Sequence, residues 1–94
     1  MLFAVIGFFK PDVDTAPPEL QADLNEHFAQ PTLRIALAGY LRDRDGARTA
    51  LMGLIEAESF DRAEAFLHAS PYVHAGLYDR VEVLQFDVEV GRLA

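Results

Sequence analysis

The segment "LFAVIGFFK", residues 2–10, constrains the fold more than any other part of the chain. Its aromatic and β-branched side chains read as a strand. Alternate side chains of a strand point to opposite faces. Phe3, Val5, Gly7 and Phe9 then share one face, and Leu2, Ala4, Ile6 and Phe8 the other. Both faces are apolar, and such a strand must be covered on both sides. One layer of helices covers one face; the second needs another sheet.

The remaining sequence supplies the helical layer. "PDVDTAPP" is a loop punctuated by prolines. A helix is predicted from Pro17 or Pro18 through "PELQADLNEHFAQ", with Glu19 and Asp23 favoured at its positive end. Leu20, Leu24, His27 and Phe28 fall on one face, and Pro31 ends it. "TLRIALAGYLRD" is a second strand. Strict alternation puts Leu33, Ile35, Leu37, Gly39 and Leu41 on one face and Arg34, Ala36, Ala38 and Tyr40 on the other. "DRDGAR", centred on Asp45-Gly46, turns the chain into the hairpin partner "TALMGLIEA". Ser59 is a natural N-cap for a second helix with the stripe Phe60, Ala63, Phe66 and Leu67. Pro71 to Leu77 is a short turn or single helical coil. The last strand is about "DRVEVLQFDV", and "EVGRLA" is a tail.

The order strand, helix, strand, strand, helix, strand implies an α+β, ferredoxin-like βαββαβ sandwich. Residues 1–94 are expected to form one domain, with a core over about 1–88 and a C-terminal tail over 89–94. A chain of 94 residues hides only roughly 60–65% of its unfolded surface, yet 51% of it is hydrophobic. Together with the two-faced first strand, that predicts a homodimer, or a higher oligomer built from it, whose sheets meet about 10 Å apart.

Composition narrows the chemistry. With no cysteine, disulfides and thiolate reactions are excluded, which suits a cytoplasmic setting. The net charge is −7, from 15 acidic and 8 basic side chains. The bases are scattered, and only Arg42, Arg44 and Arg48 cluster, with Asp43 and Asp45 among them. Such a chain repels phosphate backbones, so nucleic acid is not an expected partner. "MLFAVIGFF" is too short to span a bilayer and lacks the flanks of a signal peptide, so no membrane role is expected. There is no Gly-rich phosphate loop and no nucleotide fingerprint. His68 and His74 lie six positions apart without a third ligand, so no metal site is expected.

From Ala38 to Phe86 the sequence resembles the YCII-related family of small dimeric α/β-barrel proteins. The resemblance rests on the Ala-Gly-X-Leu strand at Ala38–Leu41, the Asp45-Gly46 hairpin, and the Glu-Ala-X-Ser helix start at Glu56–Ser59. "PYVHAGL" at Pro71–Leu77 and the "VEV" strand at Val81–Val83 complete it. It implies a ferredoxin-like dimer with a cleft between helices and sheet. Many members pair a first-helix histidine with an aspartate before the Pro-Tyr. Here His27 is the only first-helix histidine, Ser70 stands at the aspartate position, and Tyr40 replaces a proline.

The site candidates follow from both readings. His27, on an apolar stripe, is either a hydrogen-bonded core or cleft residue or a proton carrier, and its ordinary pKa near 6.5 suits general-base work. Ser70 and Tyr72 are its expected partners. Ser70 is otherwise a helix-end residue, and Tyr72 is otherwise a ligand contact that presents its hydroxyl to the cleft. Arg34 and Tyr40, sharing a face by alternation, are ligand-binding candidates, Arg34 through a bidentate fork to a carboxylate or else through an ion pair. The first functional expectation is a cofactor-free proton-transfer enzyme, isomerase- or lyase-like, acting on a small organic molecule near His27. The alternatives are a non-catalytic small-molecule-binding or accessory dimer and, more distantly, a cofactor-free monooxygenase of the dimeric barrel type.

Overall fold

A computed structural model of the protein describes residues 1–13 and 16–91. Asp14 and Thr15 of the proline-rich loop, and Arg92, Leu93 and Ala94 of the expected tail, lie outside the described residues. The elements run β1 (Leu2–Phe9), α1 (Pro18–Phe28), β2 (Arg34–Arg42), β3 (Arg48–Glu56), α2 (Phe60–His68), α3 (Pro71–His74) and β4 (Tyr78–Gln85). The strands pair antiparallel in the order β2-β3-β1-β4. This is the ferredoxin-like fold, with β1, apolar on both faces, between β3 and β4.

Local chemistry sets the boundaries. Pro17 stands at the N-cap of α1 and Pro18 opens the helix, where a missing N–H costs nothing. Past its end, the Gln30 side chain holds the turn into β2. Its Oε1 accepts from the N–H groups of Thr32 at 2.8 Å and Leu33 at 2.9 Å, while its Nε2 donates to the Leu33 carbonyl at 2.9 Å. Ser59 caps α2 by accepting from the Arg62 N–H at 3.2 Å, as its residue type predicts. The hairpin turns on Gly46, whose φ of +86° favours glycine. Asp43 braces this turn through its side chain. Its Oδ1 accepts from the N–H groups of Asp45 at 2.9 Å and Ala47 at 3.0 Å.

The core lies between helices and sheet. Phe3, Ile55 and Ala63 are fully buried there, with Val5, Phe66 and Leu67 beside them. Phe60 belongs to the same stripe but lies at its margin, with its ring edge-to-face on Phe3 at 4.8 Å. Toward the hairpin end, Leu24, Leu51 and Tyr72 form a second cluster with Phe9, Tyr40 and Tyr78.

The pairing register shifts at three places, one of them at the hairpin, between Leu41–Ala50 and Arg42–Arg48. In β2 the register shifts between Ile35, opposite Ile55, and Leu37, opposite Leu54. Ala36 is therefore the extra residue of a bulge, and the faces invert across it. Ile35 packs on the helix-side core, and so does Tyr40, opposite Leu51. Leu37 and Leu41 turn to the outer face, at 43% and 39% exposure. Arg34 and Tyr40 accordingly lie on opposite faces, not on one. The third shift, between the Phe8–Arg80 and Phe9–Tyr78 pairs, brings Tyr78 to the helix side.

Candidate functional site

The helix–sheet layer encloses a small cavity because two glycines leave its floor bare. Gly7 of β1 and Gly53 of β3 both face the helices. The ring of Tyr78 lies in the space a Cβ at Gly7 would need. Phe28 of α1 approaches Gly53 to within ordinary van der Waals reach of such a Cβ, at 3.4 Å. His27, Phe28, Phe66, Ser70 and Tyr78 wall the space above this floor. The cavity offers about 20 Å³, room for about one water molecule. His27 and Phe66 also line a more open cleft of about 240 Å³ with Gln30 and Arg62, so their side chains separate inner cavity from outer cleft.

His27 is held by α2, not by the residues expected to hold it. Its Nε2 lies 2.9 Å from the Phe66 carbonyl oxygen. A carbonyl only accepts, so Nε2 carries the proton and, in the neutral ring, Nδ1 carries the lone pair. The imidazole stacks on the Phe66 ring at 4.2 Å with a 19° interplanar angle. Burial lowers its pKa below the usual 6.5; the Phe66 carbonyl opposes this and His74 reinforces it. His27 is therefore mostly neutral at pH 7, which is the form a base requires.

Ser70 lines the same cavity and is 4% exposed. Its Oγ caps α3 by accepting from the Tyr72 N–H at 3.2 Å. The serine hydroxyl keeps a proton to donate. Tyr72, 1% exposed, presents its hydroxyl to no partner among the described residues. The phenol of Tyr40 acts on it at close range without a well-formed hydrogen bond. Burial first, then Tyr40, push the Tyr72 phenol far above its ordinary pKa, while Arg48 pulls it down. Tyr78 is likewise raised, by burial and then by Tyr72 and Tyr40.

These phenols belong to one aromatic wall. The ring of Phe9 lies 6.3 Å from that of Tyr40, 6.2 Å from Tyr72 and 5.3 Å from Tyr78. The Arg48 guanidinium covers the Tyr40 ring at 4.1 Å. His27 and Ser70 thus share the cavity, while Tyr40 and Tyr72 stand in the wall beside it. Arg34 is elsewhere, on the outer face, paired with Glu56 at 3.1 Å. Tyr78, Arg48 and Gly7 were given no part in the site by the sequence. Tyr78 reaches the helix side only through a bulge, and nothing in the hairpin sequence marks Arg48 as stacked. Among the described residues, no three histidine or carboxylate side chains gather to hold a metal ion. No helix among them is long and apolar enough to cross a membrane.

Residues 1–87 match the family model of the YCII-related domain. No curated protein matches the chain. Among solved structures, 5-chloro-2-hydroxyhydroquinone dehydrochlorinase from Burkholderia phenoliruptrix AC1100, in complex with 2,5-dihydroxybenzoquinone, superposes with a TM-score of 0.75. It shares 22% sequence identity, over 93% of this chain and 94% of that one. The protein At3g17210 from Arabidopsis thaliana aligns over 98% of both chains, with a TM-score of 0.48 and 13% identity.

Proposed function

The chain belongs to the YCII-related family, and on that premise we propose that it is a cytoplasmic proton-transfer enzyme, lyase- or isomerase-like. It would act without a cofactor on a small ring-bearing organic molecule. The observation carrying this reading is a neutral imidazole, fixed by the Phe66 carbonyl, at the boundary between an aromatic-walled cavity and an open cleft. His27 is the proposed base. Its Nδ1 lone pair takes a proton from a carbon acidified by a neighbouring carbonyl or hydroxyl-bearing ring. In an elimination, the C–H electron pair becomes the new π bond and the leaving group departs with its own bonding pair. The proton then passes from His27 to solvent. Ser70 is proposed to donate to a substrate oxygen, and the Tyr40 and Tyr72 hydroxyls to line its polar edge. The dehydrochlorinase makes hydroxylated quinones and chlorohydroquinones the first compounds to try. A ring needs more than the room of one water, so it would sit in the outer cleft against His27 and Phe66 and turn its polar edge toward the inner cavity.

The working unit is proposed to be one domain over residues 1–94, with its core over about 1–88, paired as a homodimer through the outer sheet faces. Leu37, Leu41, Leu84 and Phe86 expose 43%, 39%, 54% and 46% of their surface, more apolar area than a strand face leaves to water without use. The test of the chemistry is saturable binding of 2,5-dihydroxybenzoquinone and chloride release from 5-chloro-2-hydroxyhydroquinone. His27→Gln should fold normally and lose both. Binding that survives His27→Gln, with no chloride release from the wild type, would favour a non-catalytic binding dimer.

A further inference from the structure

We propose that the groove between the start of the β1–α1 connection and the β2–β3 hairpin binds a small anionic molecule, through a carboxylate or phosphate group. The groove holds about 520 Å³, within the roughly 300–1,000 Å³ of small-molecule sites. Phe9 and Lys10 enter it from the end of β1, Arg42 and Asp43 from the end of β2, and Arg48 from the start of β3. Two of the eight basic residues of a chain with net charge −7, Arg42 and Arg48, therefore meet at one groove, while the Lys10 ammonium lies at its margin beside Gly76. The sequence shows the cluster of Arg42 and Arg48 but not that the end of β1 closes a groove over it.

The arrangement leaves these cations able to bind. Asp43, the acid among these residues, engages one carboxylate oxygen with the Asp45 and Ala47 N–H groups. Arg42 donates from Nη1 to the Gly46 carbonyl at 2.7 Å, which fixes its guanidinium at the groove and leaves other N–H groups for a ligand. Arg48 lies over the Tyr40 ring at 4.1 Å. A guanidinium stacked by its face still offers its N–H edge in its own plane, the geometry that takes two oxygens at once. Phe9 adds an apolar surface for the body of the molecule. The proposal stands independently of the role of His27.

The test is a titration of the full-length, ¹⁵N-labelled chain with phthalate and, separately, with inorganic phosphate, followed by NMR at low ionic strength. Saturable shifts at Lys10, Arg48 and the hairpin amides are expected with at least one of them. Arg42→Gln and Arg48→Gln should each weaken binding roughly tenfold, the loss of one charge-assisted hydrogen bond. Arg80→Gln removes the same charge on the outer face and should change the affinity less than about twofold. Tighter phthalate binding assigns the groove to an organic acid, and tighter phosphate binding to a phosphate ester. Shifts that do not saturate with either, or an Arg80→Gln effect equal to that of Arg48→Gln, would reduce the groove to counterion screening and overturn the proposal.

Discussion

The two faces of the sheet are made by the same four strands but handle polarity in opposite ways. On the outer face the charges sit on the edge strands β2 and β4 and at the end of β3. Arg34 pairs with Glu56 at 3.1 Å and Arg80 with Glu82 at 3.5 Å, all well exposed. The centre is apolar, with Ala4, Ile6, Met52 and Leu54 on β1 and β3. On the helix face the order reverses. Apolar residues surround a polar interior in which His27, Ser70, Tyr72 and Tyr78 are buried or half-buried. Exposed ion pairs contribute little to stability, so the outer rim reads as the border of an apolar patch. Buried polar groups are costly unless each has a partner. The helix face carries that cost at Tyr72.

The largest expected effect tests the outer face. Met52 sits at its centre, between Ile6 and Gly39 in the register. Met52→Glu would place a carboxylate in the middle of the proposed dimer interface. Burying an unpaired charge costs several kcal/mol, so the dimer should weaken by at least about 100-fold. Met52 is only half-buried in the single chain, so the fold should survive. Sedimentation at micromolar concentration should give about twice the chain mass for the wild type and the chain mass for the variant. A wild type that runs as a monomer would leave the outer face without a partner and remove the contrast.

The next effect tests the helix face. A methyl group at Gly7 would run into the Tyr78 ring. Gly7→Ala should therefore cost about 1–3 kcal/mol, the range for overpacking a filled site. It should also disturb the His27 cavity, which both residues line. An unchanged denaturation midpoint, with unchanged His27 ring shifts, would show that Tyr78 has room to move aside.

How far these faces can be read from the sequence differs strand by strand. β1 is legible because both of its faces are apolar, so no error of phase can hide its central position. The hairpin and the Ser59 cap are legible because Asp-Gly and serine act through local backbone chemistry. β2 is misread beyond Ile35 because the bulge at Ala36 carries no signature. An alanine fits a bulge or a regular strand equally well. That one extra residue decides whether Tyr40 joins Arg34 outside or Tyr72 inside. The partner of His27 is hidden for another reason. It is a backbone carbonyl, which every residue possesses, so the identities of Ser70 and Tyr72 could not exclude it.

A smaller effect of opposite sign is expected at Tyr72. Its hydroxyl is buried without a partner among the described residues. Removing an unsatisfied polar group relieves its desolvation cost while leaving the ring packing intact. Tyr72→Phe should therefore be neutral or stabilising, by up to about 1–2 kcal/mol. A clear loss of stability by chemical denaturation would mean that the hydroxyl is satisfied in solution, by Tyr40 or by a bound water. The helix face would then carry no unmet polar group.

The smallest effect is a proton equilibrium. The folded chain lowers the His27 pKa below the unfolded value of 6.5, first through burial. Between those two values the unfolded chain binds more protons than the folded one, so stability rises with pH there. The contribution of His27 is fully present above pH 6.5 and is lost as pH falls toward the folded value. Its ring resonances, followed by NMR, should titrate below 6.5. Ser70→Asp sharpens the measurement. Aspartate is as good an N-cap as serine, so it can keep the bond to the Tyr72 N–H that holds α3. It also adds a negative charge to the cavity that His27 lines. A nearby opposite charge favours the charged imidazole, so the His27 pKa should rise toward or beyond 6.5 and the acid loss of stability should shrink. If the ring titrates identically in the wild type and in the Ser70→Asp variant, the side chain at that position and His27 do not act on one another, and the proposed base works without a partner on α3.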